Sequence, residues 1–245
     1  MGKHSTDNTT IADIIKNICS CNLDCYKDRY THDLKTRGRV ITKEELLSAK
    51  PLIDDWRNQK ILFVSQSPSK QAFADRVLNS KENDFLMNSL LKKLFKEQED
   101  VFKIWKSCVF WVHYSNCYPF AERTKTNMLQ DLRPNSKCAN KYLGMIIESM
   151  NPEIIVLMGW FSTRFFASSI RNEIKSSSTY PSLSEILKYQ MDKKSFFILM
   201  PPKTNKKYKG VIIPHTANWK KESPHDRYSF DFASESILSI YNNRS

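Results

Sequence analysis

Apolar residues follow two rhythms in this chain: short unbroken runs, and longer stretches with an apolar position every three or four residues. The unbroken runs are ILFV at 61–64, CVFWVHY at 108–114, EIIVLM at 153–158, SFFILM at 195–200 and GVIIP at 210–214. Each is short, rich in β-branched or aromatic residues and bounded by turn formers, the pattern of a buried strand. The second rhythm predicts helices over 9–18 (TTIADIIKNI), 84–97 (DFLMNSLLKKLFKE) and 136–150 (SKCANKYLGMIIESM). It also predicts helices over 160–172 and from Tyr228 to Tyr241, with a shorter one near Lys43 to Ala49. The Ser-rich segment Ser176–Ser184, which contains Pro181, reads as a surface loop, and PPKTNKKYKG reads as a basic one. Strands alternating with helices argue for an α/β fold, a three-layer α/β/α sandwich around a central, mostly parallel four-stranded sheet. The expected organisation is one domain over 1–245, with an N-terminal cysteine-bearing helical segment covering about residues 1–50.

In sheets of this type ligands bind beyond the carboxyl ends of the strands. Three polar loops fall there: Ser65 to Lys70, His113 to Arg123, and His215 to Lys221. Composition then narrows the partners. The chain has 38 Lys and Arg against 26 Asp and Glu, a formal charge of +12 that favours a polyanion such as DNA. A hydrophobic fraction of 40% excludes wholesale disorder. No run of about 18 apolar residues or apolar leader core is present, so a cytoplasmic protein with no membrane partner is expected, as a monomer. Neither GxGxxG nor GxxxxGK[ST] occurs, which excludes the common glycine-rich nucleotide sites. Cysteines number six, and in a reducing compartment their spacing points to thiols or metal ligands rather than disulfides. Cys19, Cys21 and Cys25 cluster at the end of the first helix, and Cys108 falls in a strand as a small core residue.

Taken in order, these segments resemble the uracil-DNA glycosylase superfamily, above all its iron-sulfur branch, family 4. ILFV leads into Ser65-Gln66-Ser67-Pro68-Ser69, where that branch has Gly-Glu-Ala-Pro-Gly; the Gln66-x-Pro68 pair also resembles the Gln-Asp-Pro of family 1. Asp84-Phe85 with the following Leu-rich helix is similar to the family's Pro-Phe and helix. Cys117-Tyr118-Pro119-Phe120-Ala121-Glu122-Arg123, then Cys138, then Pro152-Glu153-Ile154-Ile155-Val156-Leu157-Met158-Gly159 give the most specific match, and His215-Thr216-Ala217-Asn218 stands where the family has His-Pro-Ser. The resemblance spans roughly residues 10 to 225.

It implies a DNA glycosylase that flips a base from the stack and hydrolyses its N-glycosidic bond, leaving an abasic site. His215 would donate to the departing base, while Gln66 and Ser67 hold the attacking water by side chain or backbone. Phe85 would stack on the base. His113 stands where the family's uracil-reading Asn belongs, and Asn116 is the alternative reader. Ser67 replaces the family 1 Asp. Both departures open the substrate range beyond uracil to other modified bases, including those of phage DNA, so the biological setting is base-excision repair or defence. Trp219 would fill the gap left by the base, and Lys220, Lys221 and Arg123 would contact DNA, with Lys203, Lys206, Lys207 and Lys209 on phosphates. The resemblance further implies a [4Fe-4S] cluster on Cys21, Cys25, Cys117 and Cys138, with Cys19 able to replace Cys21 or Cys25 and zinc as the alternative metal. A second reading is a member of the same fold that binds or covalently traps DNA without turnover.

Overall fold

The computed structural model describes residues 9–21, 25, 34–36, 39–96, 98–119, 121–123, 129–131, 134–216 and 223–244. Thr10 opens α1 (Ile11–Cys19) with a capping box: its hydroxyl accepts from Asp13 N while the Asp13 carboxylate accepts from Thr10 N. Two donors that a helix start leaves unsatisfied are thereby paired. A hairpin of β1 (Leu34–Thr36) and β2 (Arg39–Ile41) precedes the short α2 (Lys43–Ser48). The main sheet begins with β3 (Ile61–Ser65), followed by α3 (Lys70–Asp75). Next comes a helix of π type over Phe85–Leu91 that continues as α4 (Lys92–Phe95), then α5 (Val101–Cys108) running straight into β4 (Val109–His113). A small antiparallel pair, β5 (Ala121–Arg123) and β6 (Leu129–Asp131), leads to α6 (Ser136–Cys138), a π segment over Ala139–Leu143 and α7 (Gly144–Met150). The chain closes with β7 (Ile154–Met158), α8 (Gly159–Arg164), α9 (Ala167–Ile174), α10 (Leu183–Lys193), β8 (Phe197–Leu199), β9 (Tyr208–Ile213) and α11 (Pro224–Asn242).

The sheet order is β4-β3-β7-β9-β8. Four strands are parallel and β8 is antiparallel to β9, so the sheet holds five strands rather than the expected four. The addition is an edge strand: Phe197 and Leu199 are buried while Ile198 between them is 44% exposed, the alternation of a half-covered strand. In the central strands every position is buried, and alternate residues serve opposite faces. Ile61 and Phe63 join one core with Phe73, Leu90, Trp105 and Phe230 from α3, the π segment, α5 and α11. Leu62 and Val64 join the other with Ile14, Ile18, Ile147, Ile170 and Leu187 from α1, α7, α9 and α10. Helices thus cover both faces of one sheet, an α/β/α sandwich.

Buried side chains complete the hydrogen bonding of strand edges. Asp54 Oδ2 accepts from Trp111 N on edge strand β4 (3.3 Å). Beyond the short β8, Gln190 bonds both backbone groups of Ile212 on β9, at 3.0 and 2.9 Å. An unpaired buried strand edge would cost about 1–3 kcal/mol per group.

Two further expectations need correction. Cys108 is the last residue of α5, fully buried, and not part of a strand. The helix expected over 160–172 is two helices, with Phe165 and Phe166 between them. The two small hairpins carry too short an apolar pattern to read in advance. No helix among the described residues is long and apolar enough to cross a membrane.

Candidate active site

At the carboxyl ends of the parallel strands lies a cavity of about 250 Å³. Ser65 at the end of β3 lines it with Gln66, Ser67, Pro68 and Ser69 of the loop that follows; His113, Tyr118 and Pro119 line it from β4 and the loop beyond; Met158 lines it from the end of β7 and His215 from beyond β9. Phe85, Asn83, Ala72, Leu78 and Trp111 complete the wall. The first two loops are laced together, because Tyr114 N donates to Ser65 O (2.7 Å) and Ser115 N to Gln66 O (3.0 Å). The volume falls just below the roughly 300–1,000 Å³ of sites for drug-sized ligands, which suits a single heterocycle.

The wall is aromatic, and its rings follow one another. His113 and Trp111 lie 5.5 Å apart by centroid, Trp111 and Phe85 6.5 Å, Phe85 and His215 5.9 Å, all tilted by 33–34°. Trp111 is fixed by Nε1 donating to Ser65 Oγ (2.8 Å). Asn83 is spent locally, donating to Leu78 O and accepting from Leu86 N at the start of the helix that carries Phe85. Ser69 is likewise committed, capping α3 through Ala72 N. No Asp or Glu is among the described residues lining the cavity.

Both histidines are neutral near pH 7. Burial lowers the pKa of His215, and burial pushes that of His113 down to about 3, with the neighbouring Leu52 backbone opposing the shift. His113 is 2% exposed, with the Leu52 backbone as a polar group beside its ring. Gly159, at φ +79°, opens the way for His215: a Cβ there would sit 3.3 Å from His215 Cβ. Gly159→Ala therefore combines a disfavoured backbone with pressure on the His215 side chain. The expected loss is about 1–3 kcal/mol in stability, read as a lower urea midpoint at unchanged m-value.

Asn116 does not line the cavity. Its Oδ1 accepts from His113 N (3.1 Å) and its Nδ2 donates toward Cys138 Sγ (3.2 Å), so both amide atoms are engaged in fixing the turn after β4. The basic loop also departs from expectation. Because β8 and β9 are antiparallel, their connection lies at the amino end of β9, where Lys209 pairs with Ile154 at the start of β7. Lys203, Lys206 and Lys207 therefore stand at the opposite end of the sheet from the cavity, and Lys206 lies 5.6 Å over the Tyr208 ring. Trp219, Lys220 and Lys221 lie outside the described residues, and Arg123 is placed in β5 by its backbone alone.

Four of the cysteines act on one another. Burial pushes the Cys117 thiol up to about 12, and Cys138, Cys25 and Cys21 push the same way. Burial pushes Cys138 up to about 11, with Cys21 and Cys25 adding to the rise and Asn116 opposing it. Cys19, by contrast, is exposed at the end of α1. Among the described residues no group of three or more His, Cys, Asp or Glu side chains is arranged closely enough to hold a metal ion. The chemistry of the donor set nevertheless suits a cation, since Cys21 and Cys25 stand close enough to disfavour a second thiolate at Cys117 and Cys138, which a metal would relieve, and the Asn116 amide supplies a hydrogen bond to sulfur.

Sequence reasoning missed Trp111 and Tyr118 as cavity residues. Both sat in segments read as a strand and a motif loop, and the alternation of faces along 109–113 was the signal for Trp111. No protein-family model matches the chain, and no curated protein matches it either.

Proposed function

We propose that this protein is a DNA glycosylase of the uracil-DNA glycosylase type, acting on uracil or another modified base flipped into the cavity. The observation that carries the reading is the convergence of Gln66, Ser67, Phe85, His113 and His215 on one heterocycle-sized cavity at the carboxyl ends of the strands. Phe85 offers its ring to the base, and His113 offers a buried polar edge. When the C1′–N bond breaks, its electron pair goes to the base. His215, neutral through burial, donates an N–H to the anion that develops there. Water adds its oxygen to C1′ from the Gln66–Ser67 loop and gives up a proton to solvent or base. With +12 net charge, binding to DNA falls steeply with salt.

Cys21, Cys25, Cys117 and Cys138 would hold a [4Fe-4S] cluster, or zinc. When bound, it would supply a rigid cross-link between the segment after α1, the loop after β4 and the last residue of α6. The Cys117→Ser and Cys138→Ser proteins are expected to lose most bound metal, measured by elemental analysis, and to melt at lower temperature. Full metal content in both variants would remove these ligands from the assignment.

The test is incubation with oligonucleotides carrying uracil, hypoxanthine or modified cytosines, and with modified phage DNA, followed by detection of abasic sites. Release of one base supports the glycosylase. The absence of a carboxylate among the described cavity residues favours one rival, a member that binds modified or abasic DNA without turnover. Tight binding with no release from any substrate would establish it.

A further inference from the structure

Resting on the base-pocket reading, we infer that Asn116 is a positioning residue that ties the sulfur of Cys138 to His113, so that metal binding at the cysteines and base binding in the cavity strengthen one another. Asn116 is 1% exposed, and its polar groups go to these neighbours. Its Nδ2 donates to Cys138 Sγ (3.2 Å), and its main chain bonds to the same sulfur, both opposing the rise that burial imposes on that thiol. Its Oδ1 accepts from His113 N (3.1 Å). Its carbonyl oxygen accepts from Leu52 N (2.6 Å), and the Leu52 backbone bonds in turn to the His113 ring. One residue therefore holds this cavity histidine twice, by its main chain directly and by its imidazole through Leu52.

Two donors converging on one sulfur suit a thiolate better than a thiol, because a hydrogen bond to an ionised acceptor is about twice as strong as one to a neutral group. A cation held by Cys138 ionises that sulfur. The amide of Asn116 is then pinned with its nitrogen toward sulfur, which leaves Oδ1 for His113 N. Against a neutral thiol the pull weakens, and turning the amide over, which sets Nδ2 against the His113 N–H, costs less. The loop itself has other anchors, Tyr114 N to Ser65 O and Ser115 N to Gln66 O, so it keeps its course when the Asn116 side chain is removed. Coupling of this kind is reciprocal: what the ionised sulfur does for base binding, a bound base does for metal retention.

The experiment uses the full chain with its native metal content, as wild type and as Asn116→Ala. The probes are oligonucleotides whose target nucleotide carries a cleavage-resistant 2′-fluoroarabinose with uracil, hypoxanthine or 5-hydroxymethylcytosine, beside a tetrahydrofuran abasic probe. Metal retained under EDTA challenge is measured by elemental analysis with each probe bound. In the wild type, the base probe bound most tightly is expected to improve retention by about fivefold or more over the abasic probe, and in Asn116→Ala the two are expected to agree within about twofold. Exchange of the His113 amide hydrogen, followed in ¹⁵N spectra, is expected to quicken by about tenfold in Asn116→Ala. The amide of Val156, on a strand paired on both sides, is expected to stay unchanged and reports on folding. Asn116→Ser, whose short hydroxyl cannot span both partners, is the second variant and is expected to uncouple the two sites in the same way. An equal probe effect in wild type and variants makes Asn116 a structural brace and overturns the inference, as does a wild type that shows no probe effect or is purified without metal. A preference of the wild type for a base probe over the abasic one leaves the base pocket standing in each of those cases. No such preference for any base overturns the base-pocket reading and this inference with it.

Discussion

Replacing His215 with alanine is expected to slow base release by about 100- to 1,000-fold, the usual consequence of removing one preorganised donor from a developing anion. Affinity for DNA should stay within about twofold, because phosphate contacts dominate it. The contrast follows from where the side chain sits. His215 lines the cavity, stands 5.9 Å from the Phe85 ring, and is kept neutral by burial, so its contribution is an aimed N–H rather than a positive charge. Single-turnover release of the base and equilibrium binding to the same oligonucleotide separate the two quantities. If release persists at the wild-type rate, the donor lies elsewhere; if binding and release fall together, His215 holds the loop rather than the base. The Gly159→Ala protein is the companion measurement, since its added methyl presses on His215 Cβ from 3.3 Å.

Most of the architecture was legible in the sequence because the central strands are buried on both faces, and a strand such as Ile154–Met158 then shows as an unbroken apolar run. The cavity was legible for a related reason: its loops follow directly from those runs, so Ser65–Ser69, His113 and His215 are located by the strands they terminate. Strand direction was not legible. The run at 195–200 reads like the others, and only the pairing of Leu199 with Tyr208 shows that it is antiparallel and that its lysine-rich connection is carried to the far end. The fate of Asn116 was hidden too, since a polar residue in a motif loop looks alike whether it faces a ligand or a neighbouring sulfur. Asp54 left no trace in the pattern, because its role depends on a strand edge that pairing alone defines.

That carboxylate and His113 together set an unusual dependence of stability on acid. His113 has a folded pKa of about 3, below the ordinary 6.5, so its contribution is present above pH 6.5 and is lost as pH falls toward 3. Asp54 behaves oppositely. Burial raises its pKa from 3.8 to about 6, against the pull of Arg57, Trp111 N and Asn79, so stability is gained as pH falls from 6 to 3.8. Between about pH 6 and 4 the unfolded chain carries one extra proton on the histidine and the native protein one extra on the aspartate, and the two slopes cancel. Replacing either residue exposes the other. Relative to wild type, His113→Phe should gain about 3 kcal/mol between pH 7 and pH 4, as the acid-labile term disappears. Asp54→Asn should lose about 2 kcal/mol over the same interval. Urea midpoints at fixed ionic strength measure both, and the comparison with wild type at each pH removes the carboxylates common to all three proteins. Parallel curves for wild type and His113→Phe would mean that the imidazole is solvated and protonates in the native state, which would also remove the neutral ring from the cavity wall.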